Sequence, residues 1–365
     1  MSQSLRFAAP LLLVLLAACT TTPFKPTPQP VPPQAAAVPA PPSPLAAAGS
    51  SSLAADASVI PALDDARREA FIAEAAKASG MAPEEVRGWL SQARYQQSII
   101  NAITRPAEGK AWKEYRPIFL TPTRIEQGRT FYAENRSTLD AVAKQTGVPA
   151  QYIVAIIGVE TSYGRITGNY RVLDALYTLA FFFPRRADFF RGELVQLFTL
   201  AHEEKLDLAT LKGSYAGAMG WGQFMPSSYR EFGKDGDGDA RRDLLGSRQD
   251  AIASVANYFV KHGWQAGVPV FVPAVADASA APFVPPDFVA RYSLADLASR
   301  GYRPAQAGAP DLPATLLTLE GANGPEYWIG YQNFYVITRY NRSPMYAMAV
   351  HQLAQEVAAG ASSAP

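Results

Sequence analysis

The sequence predicts a mainly α fold, α+β overall, in which a helical body is interrupted by a small β-containing segment between Gly267 and about Asn333. Three observations point there. Apolar residues recur at helical spacing from Asp64 to His262 and again after Pro344, whereas alternating or β-branched runs appear only at Val268–Val272, Leu316–Leu319 and Tyr327–Tyr331. No repeat of about 20–50 residues suggests a solenoid. The 365 residues are 48% hydrophobic and 18% charged, as in folded soluble domains, which argues against a wholly disordered chain or a multi-span membrane protein. At about 150 residues per domain there is room for roughly two, once non-globular segments are removed.

The elements follow in order. Arg6 forms a cationic start, and Phe7 to Leu16 is an apolar run too short to span a bilayer but suited to a signal peptide. It ends in Leu16-Ala17-Ala18-Cys19, which resembles a bacterial lipobox, so residues 1–18 read as a lipoprotein signal peptide and Cys19 as the lipidated residue. An ordinary signal peptide with a chance cysteine is the alternative. Acyl chains would hold the protein to a membrane surface without a spanning helix. Thr20 after the cysteine, by resemblance to other lipoproteins, favours the outer membrane, with the body facing the periplasm. Residues 19–63 are rich in Pro and Ala and cannot bury enough apolar surface to offset their ordering entropy; they read as a disordered, semi-stiff tether.

The body begins at Asp64, which can cap a helix running to Gly80. Further helices read at Pro83–Ala93, Pro122–Glu134, Thr138–Thr146, Pro149–Glu160, Leu173–Phe183, Arg185–Lys205, Ser247–His262 and Pro344–Ala358, several with proline near the first turn, where its missing N–H costs nothing.

Two segments carry most of the chemistry. In Ile153-Val154-Ala155-Ile156-Ile157-Gly158-Val159-Glu160, Glu160 continues the face of Ile153, Ile156 and Ile157. Partial desolvation of such a carboxyl group raises its pKa, as a general acid working near neutrality requires. A frayed helix end whose Glu reaches water is the competing reading. In Gly213–Tyr229, small residues allow close approach of a bulky ligand, while Ser214, Trp221, Gln223 and Phe224 suit hydrogen bonding to hydroxyls and amides and stacking of aromatic faces on apolar ring surfaces. The segment lacks the Walker pattern and the third glycine of a dinucleotide fingerprint. A glycine-rich turn packing two helices would look similar.

Gly158-Val159-Glu160-Thr161, Leu173-Asp174-Ala175-Leu176, Pro184-Arg185-Arg186, Gly217-Ala218-Met219-Gly220-x-Gly222-Gln223-Phe224-Met225-Pro226-Ser227-Ser228 and Asn333-Phe334-Tyr335-x-Ile337-Thr338-Arg339-Tyr340-Asn341 occur in that order. Together they resemble the membrane-bound lytic murein transglycosylase B family, from about Asp64 to the final helix. The resemblance implies a lysozyme-like helical core with a helical N-terminal domain and a small β domain. Its boundaries would be 64–120 for the N-terminal domain, 121–266 for the core, 267–333 for the β domain, 334–359 for a C-terminal helix returning to the core and 360–365 for a disordered tail. It implies cleavage of the β-1,4 bond between N-acetylmuramic acid and N-acetylglucosamine, ending in 1,6-anhydromuramoyl products. Glu160 would be the single catalytic acid/base, with no catalytic cofactor. Tyr115, Ser214, Gln223, Phe224, Tyr258, Tyr340, Asn341 and Tyr346 would line the glycan groove. Implied partners are peptidoglycan glycan strands, the outer membrane through Cys19, and wall-synthesis or wall-remodelling proteins.

Asp235, Asp237, Asp239 and Asp243 stand at positions 1, 3, 5 and 9 of an EF-hand-like loop in which Arg241 would offer its carbonyl to Ca²⁺. Ala240 replaces the usual glycine, where a positive φ costs about 1 kcal/mol, and Gly246 stands at position 12. The family's longer loop closes on an Asp near Asp250, which makes that second departure expected. A solvated Asp/Gly turn is the alternative to a structural calcium site.

Lys plus Arg number 33 and Asp plus Glu 32, so no basic field suits nucleic acid. The lone Cys19 has no disulfide partner, and His202, His262 and His351 match no close-spaced zinc pair. Rival functions are a catalytically idle glycan-binding lipoprotein and a muramidase that hydrolyses the same bond. Glu160 on an apolar helix favours an enzyme, because a pure binder gains nothing from a partly buried acid.

Overall fold

The computed structural model describes residues 63–104 and 110–361, so the expected signal peptide, Cys19 and nearly all of the tether lie outside the described residues. Helix α1 (Asp65–Ser79) starts where Asp64 accepts the Ala66 amide at 3.1 Å, and it stops at Gly80, whose φ of 74° forms a left-handed cap. Then come α2 (Pro83–Gln92), α3 (Gln97–Thr104), α4 (Trp112–Phe119), α5 (Pro122–Glu134), α6 (Arg136–Thr146) and α7 (Ala150–Thr161). Every residue of α7 from Tyr152 to Thr161 is buried. Since a fully buried Val, Leu or Ile side chain contributes about 1.5–3 kcal/mol, this helix is the axis of the core.

A two-residue ladder follows, pairing β1 (Tyr170–Arg171) antiparallel with β2 (Lys212–Gly213). Such strands are too short to leave an alternation in sequence, and none was expected before Val268. Between them run α8 (Val172–Phe182) and α9 (Ala187–Glu204), separated by a 3-10 turn at Pro184–Arg186. The helix expected to start at Arg185 starts two residues later. The chain then forms α10 (Pro226–Phe232) and α11 (Arg248–Lys261).

The later sheet contains β3 (Phe271–Ala276), β4 (Tyr302–Pro304), β5 (Thr315–Gly321) and β6 (Gly324–Gly330) in the antiparallel order β4-β3-β6-β5, with α12 (Leu294–Ser299) preceding β4. Along β5, Leu317 and Leu319 join the helical core, whereas Leu316 joins a second cluster with Leu297, Tyr302, Ile329 and Tyr331. This is the period-2 alternation of a strand covered on both faces. The helix expected from Pro344 to Ala358 is present as α14 (Pro344–Ala361); α13 (Gln332–Tyr340), which was not expected, precedes it, and the two are separated at Asn341–Ser343, where Pro344 lacks the N–H that continuation would need. Because α14 runs to Ala361, the first two residues of the expected 360–365 tail are helical.

α14 packs on α7, α5 and α4, while α11 packs on α7 and α6. This convergence brings residues from the C-terminal segment against the end of α7. Among the described residues no helix is long and apolar enough to cross a membrane.

Candidate active site

Glu160 sits in the last turn of α7 with only 5% of its surface exposed. The frayed-end reading does not hold. Its carboxylate accepts a hydrogen bond from the Tyr346 hydroxyl at 2.6 Å, with Tyr346 on the first turn of α14. Burial first, then the neighbouring Glu160 carboxylate, raises the Tyr346 phenol well above its ordinary value, so the phenol stays protonated and donates. The Tyr340 phenol at the end of α13 is raised by the same two causes and donates to the Gly222 carbonyl at 2.5 Å. Tyr115, on α4, adds an electrostatic influence on Tyr346.

Rings of Phe224, Tyr258 and Tyr340 form an aromatic cluster with centroids 4.7 to 5.9 Å apart. Tyr258, on α11, donates to the Arg339 carbonyl at 2.6 Å. The loop after β2 is closed by its own backbone: Met219 and Phe224 exchange two hydrogen bonds of 3.0 Å, and the Ser214 amide donates to the Ala218 carbonyl at 2.7 Å. The Ser214 hydroxyl oxygen accepts from the Ala216 and Ala218 amides. Gln223 adopts a left-handed φ of 52° and directs its NH₂ group to the Thr167 and Gly220 carbonyls, each at 3.0 Å. Its side-chain carbonyl oxygen is buried without a protein partner, leaving an acceptor for a hydroxyl or amide. Asn341 accepts from the Ser343 amide at 3.0 Å, which stabilises the break between α13 and α14. Thus Tyr346 contacts Glu160 directly, Tyr340 and Tyr115 meet it electrostatically or through Tyr346, and Ser214 and Asn341 have roles in turns.

The other buried acids of this region are engaged elsewhere. Asp174 pairs with Arg171 and accepts the Arg94 amide at 2.8 Å. Glu193 caps α10, accepting the Ser227 amide at 3.0 Å and hydroxyl at 2.6 Å, and burial raises its pKa.

In the acidic loop, Asp235, Asp237 and Asp250 each bring a carboxylate oxygen within 4.8 Å of the others. Asp250, fully buried at the start of α11, accepts the Gly236 amide at 2.7 Å and the Asp243 amide at 2.6 Å, tying the loop to the helix. Three hard oxygen donors so close together fit a divalent cation. Ala240 does take the left-handed conformation, with φ 66°. Asp239 and Asp243 also accept nearby amides, from Arg241 and from Leu245 and Gly246. Amides of Gly238 and Ala240 hold the Asp235 carboxyl below its ordinary value.

Two residues absent from the sequence-based expectations meet at the end of α7, where Arg124 of α5 donates to the Ser162 hydroxyl at 3.1 Å. They are 38 positions apart in the chain, so no local pattern connects them.

Residues 64–355 match the transglycosylase SLT domain family. The chain is 43% identical over 298 residues to the membrane-bound lytic murein transglycosylase B of Escherichia coli (strain K12), covering 79% of this chain and 81% of that protein. Catenated lytic transglycosylase SltB1 from Pseudomonas aeruginosa superposes with a TM-score of 0.77 at 48% identity, covering 82% of this chain and 99% of that one. The Escherichia coli lytic transglycosylase Slt35, solved in complex with calcium, gives 0.74 at 43% identity over 80% of this chain and 93% of that one. SltB3 from Pseudomonas aeruginosa, which binds the peptidoglycan fragment NAG-anhNAM-pentapeptide, gives 0.69 at 30% identity over 80% and 78%. The chain belongs to the transglycosylase SLT family and is a lytic murein transglycosylase, an enzyme that cleaves peptidoglycan.

Proposed function

We propose that this lytic murein transglycosylase cuts the β-1,4 bond between N-acetylmuramic acid and N-acetylglucosamine with Glu160 as its single acid/base, leaving 1,6-anhydromuramoyl ends. The observation that carries the reading is the buried Glu160 carboxyl group hydrogen-bonded by Tyr346. Around it, the substrate-lining set of Tyr115, Ser214, Gln223, Phe224, Tyr258, Tyr340, Asn341 and Tyr346 contains no carboxylate.

A retaining hydrolase needs a second carboxylate about 5–5.5 Å from the acid. Asp174 and Glu193 are engaged with an arginine and a helix N-terminus instead. The substrate must then supply its own nucleophiles. Protonated Glu160 gives its proton to the glycosidic oxygen as the C1–O bond breaks, and the N-acetyl oxygen closes on C1. The Glu160 carboxylate next takes the proton of the muramoyl C6 hydroxyl while O6 displaces the acetamido oxygen. The carboxyl group ends protonated and no water is consumed. An intramolecular hydroxyl outcompetes water because its translational entropy is already lost. The anhydro sugar bound by the relative SltB3 supports the product assignment.

Mass spectrometry of digested sacculi tests the reading. Products should be lighter by one water than those of a hydrolase and carry no ¹⁸O from labelled solvent. Predominantly reducing, labelled ends would make the enzyme a muramidase.

Calcium is proposed as a structural ion held by Asp235, Asp237 and Asp250, with Asp239, Asp243 and the Arg241 carbonyl completing the expected loop set. The calcium in the Slt35 complex and the convergence of the three carboxylates support this. Cys19 is proposed to carry the lipid that holds the enzyme on the periplasmic side of the outer membrane, supported by the lipobox-like sequence and the membrane-bound relative. Cys19→Ser should release an active soluble form, and an unmodified mature N-terminal cysteine by mass spectrometry would refute the anchor. The same reading retains the division into 64–120, 121–266, 267–333 and 334–359, and with it the expected wall-remodelling partners.

A further inference from the structure

We infer that Arg124 is a positioning residue for catalysis, a guanidinium clamp that holds together the C-terminal ends of the two helices carrying Glu160 and Tyr115. The inference rests on Glu160 being the acid/base.

The end of α7 is a demanding piece of backbone. Ser162 and Tyr163, two and three residues beyond Glu160, both adopt left-handed φ values, 49° and 60°, with no glycine to ease either. Their amides return to the Gly158 and Ile157 carbonyls at 3.1 and 3.3 Å, the pattern of a helix-closing motif in which glycine is usual. Such a conformation persists only where its surroundings over-determine it.

Arg124 supplies that determination. One arm of its guanidinium donates to the Ser162 hydroxyl at 3.1 Å, and the other donates to the Ile118 carbonyl at 2.6 Å. Ile118 lies in the last turn of α4, three residues after Tyr115, and its carbonyl is among those a helix end leaves without a partner. The backbone carbonyl of Arg124 in turn accepts the Tyr163 hydroxyl at 3.0 Å. That ring lies over Gly158, where a Cβ would come within 2.5 Å of the hydroxyl, so it locks the turn against α7 itself. Thr161 completes the frame by donating to the Trp221 carbonyl at 2.9 Å in the loop that carries Gln223.

The electrostatics of Arg124 fit this role. Its side chain is buried in the first turn of α5, where the helix dipole disfavours a cation, and among the described residues it has no carboxylate within ion-pair distance. Its Nε has no partner. What balances the charge is the pair of helix C-termini it bridges, each presenting partial negative charge, and the face of Phe119, 5.5 Å away. A surface-stabilising arginine would be exposed and paired. This one is buried at the junction of two helix ends, each bearing a residue of the proposed site.

The test is steady-state kinetics on a soluble glycan-strand substrate, reading anhydro product, with the folded fraction measured by circular dichroism. Arg124→Met should lower kcat by about 10- to 100-fold, the range expected for small misplacement of a catalytic group, with KM little changed. Arg124→Lys, which reaches only one of the two acceptors, should recover part of that loss. Adding Ser162→Gly to Arg124→Met should raise kcat again, because glycine takes the left-handed turn without the clamp. Wild-type kcat in folded Arg124→Met would overturn the inference. If Arg124→Met does not fold, Ser162→Ala decides: a lowered kcat at unchanged KM supports the clamp, and an unchanged kcat overturns it. Glu160→Gln in the same assay keeps the two readings apart. Activity in that variant would remove the acid/base assignment, whereas an inactive Glu160→Gln beside a fully active Arg124→Met would remove only the clamp.

Discussion

Glu160 and Asp250 are both buried acids at helix ends, 5% and 0% exposed, yet they are built for opposite purposes. Asp250 opens α11 and accepts two backbone amides, Gly236 and Asp243, at 2.7 and 2.6 Å. Those bonds use both oxygens to shape a loop, and the favourable end of the helix dipole holds the charge. Glu160 closes α7, at the dipole end that disfavours an anion, and a phenol hydroxyl meets it. A carboxylate satisfied by amides at a helix start is a structural anchor. One held at a helix end by a side chain from another helix can exchange its proton with a substrate, and the surrounding neutral groups do not compete for it.

The sharpest way to break this contrast is to neutralise each acid. Glu160→Gln keeps the shape but loses the transferable proton, so activity on sacculi should fall by about 10²–10⁴-fold while the melting curve stays near wild type. Near-wild-type digestion would remove Glu160 from the mechanism.

Acidification separates the two regions by pH. α7 and α14 meet again at Tyr152 and His351, 2.8 Å apart, and burial lowers the His351 pKa to about 4. An ordinary histidine titrates near 6.5, so the unfolded chain gains the proton first as pH falls. The stability that this depressed group contributes is complete above pH 6.5 and declines towards pH 4, by about 3 kcal/mol in total. The Asp235 carboxyl is also depressed, but its contribution declines only below its ordinary value of 3.8. Urea denaturation at pH 7 and pH 4.5 should therefore differ markedly in the native protein and much less in His351→Gln; equal losses in both would refute the assignment to His351.

Tyr346→Phe removes the hydrogen bond to Glu160, and a bond to a charged group contributes about 1.5–3 kcal/mol, so kcat should fall by about 10- to 100-fold. Asp250→Ala leaves two amides unpaired and should cost about 1–3 kcal/mol of stability, with kcat of the folded fraction preserved. A Tyr346 variant with full activity, or an Asp250 variant that is stable but inactive, would reverse the roles assigned above.

The smallest effect concerns calcium. At about 10 mM calcium and a Kd near 1 mM, binding to the folded state alone stabilises by about 1.4 kcal/mol, a rise in Tm of about 1–3 °C. The rise should vanish in Asp250→Ala. An unchanged curve in the native protein, calcium against chelator, would favour a solvated turn.

Long helices with marked ends were legible in the chain. Pro122–Glu134 matches the expected limits, and the Asp64 and Gly80 signals bracket α1 as expected. Helices α3, α4, α10, α12 and α13 were not, for they span only 6 to 9 residues and their positions are held by tertiary contacts rather than by a long periodic face. At the site, the apolar run put Glu160 on the buried face of its helix but left a frayed, water-reaching end as an alternative, and the spacing of the aspartates pointed to an EF-hand-like loop or a solvated turn. That Asp235 and Asp237 bring carboxylate oxygens together with the more distant Asp250 could not be read from alternation alone.

By itself the sequence determined the helical class, the segment that carries the acid, and the small-residue loop beside it, because periodicity, caps and composition act over a few neighbouring residues. Only the tertiary structure decided which groups meet that acid. Tyr346 is 186 positions from Glu160, and Arg124 is 38 from Ser162. Contacts at such separations depend on how α4, α5, α7 and α14 pack, and that packing is a collective property of the core which no local pattern records.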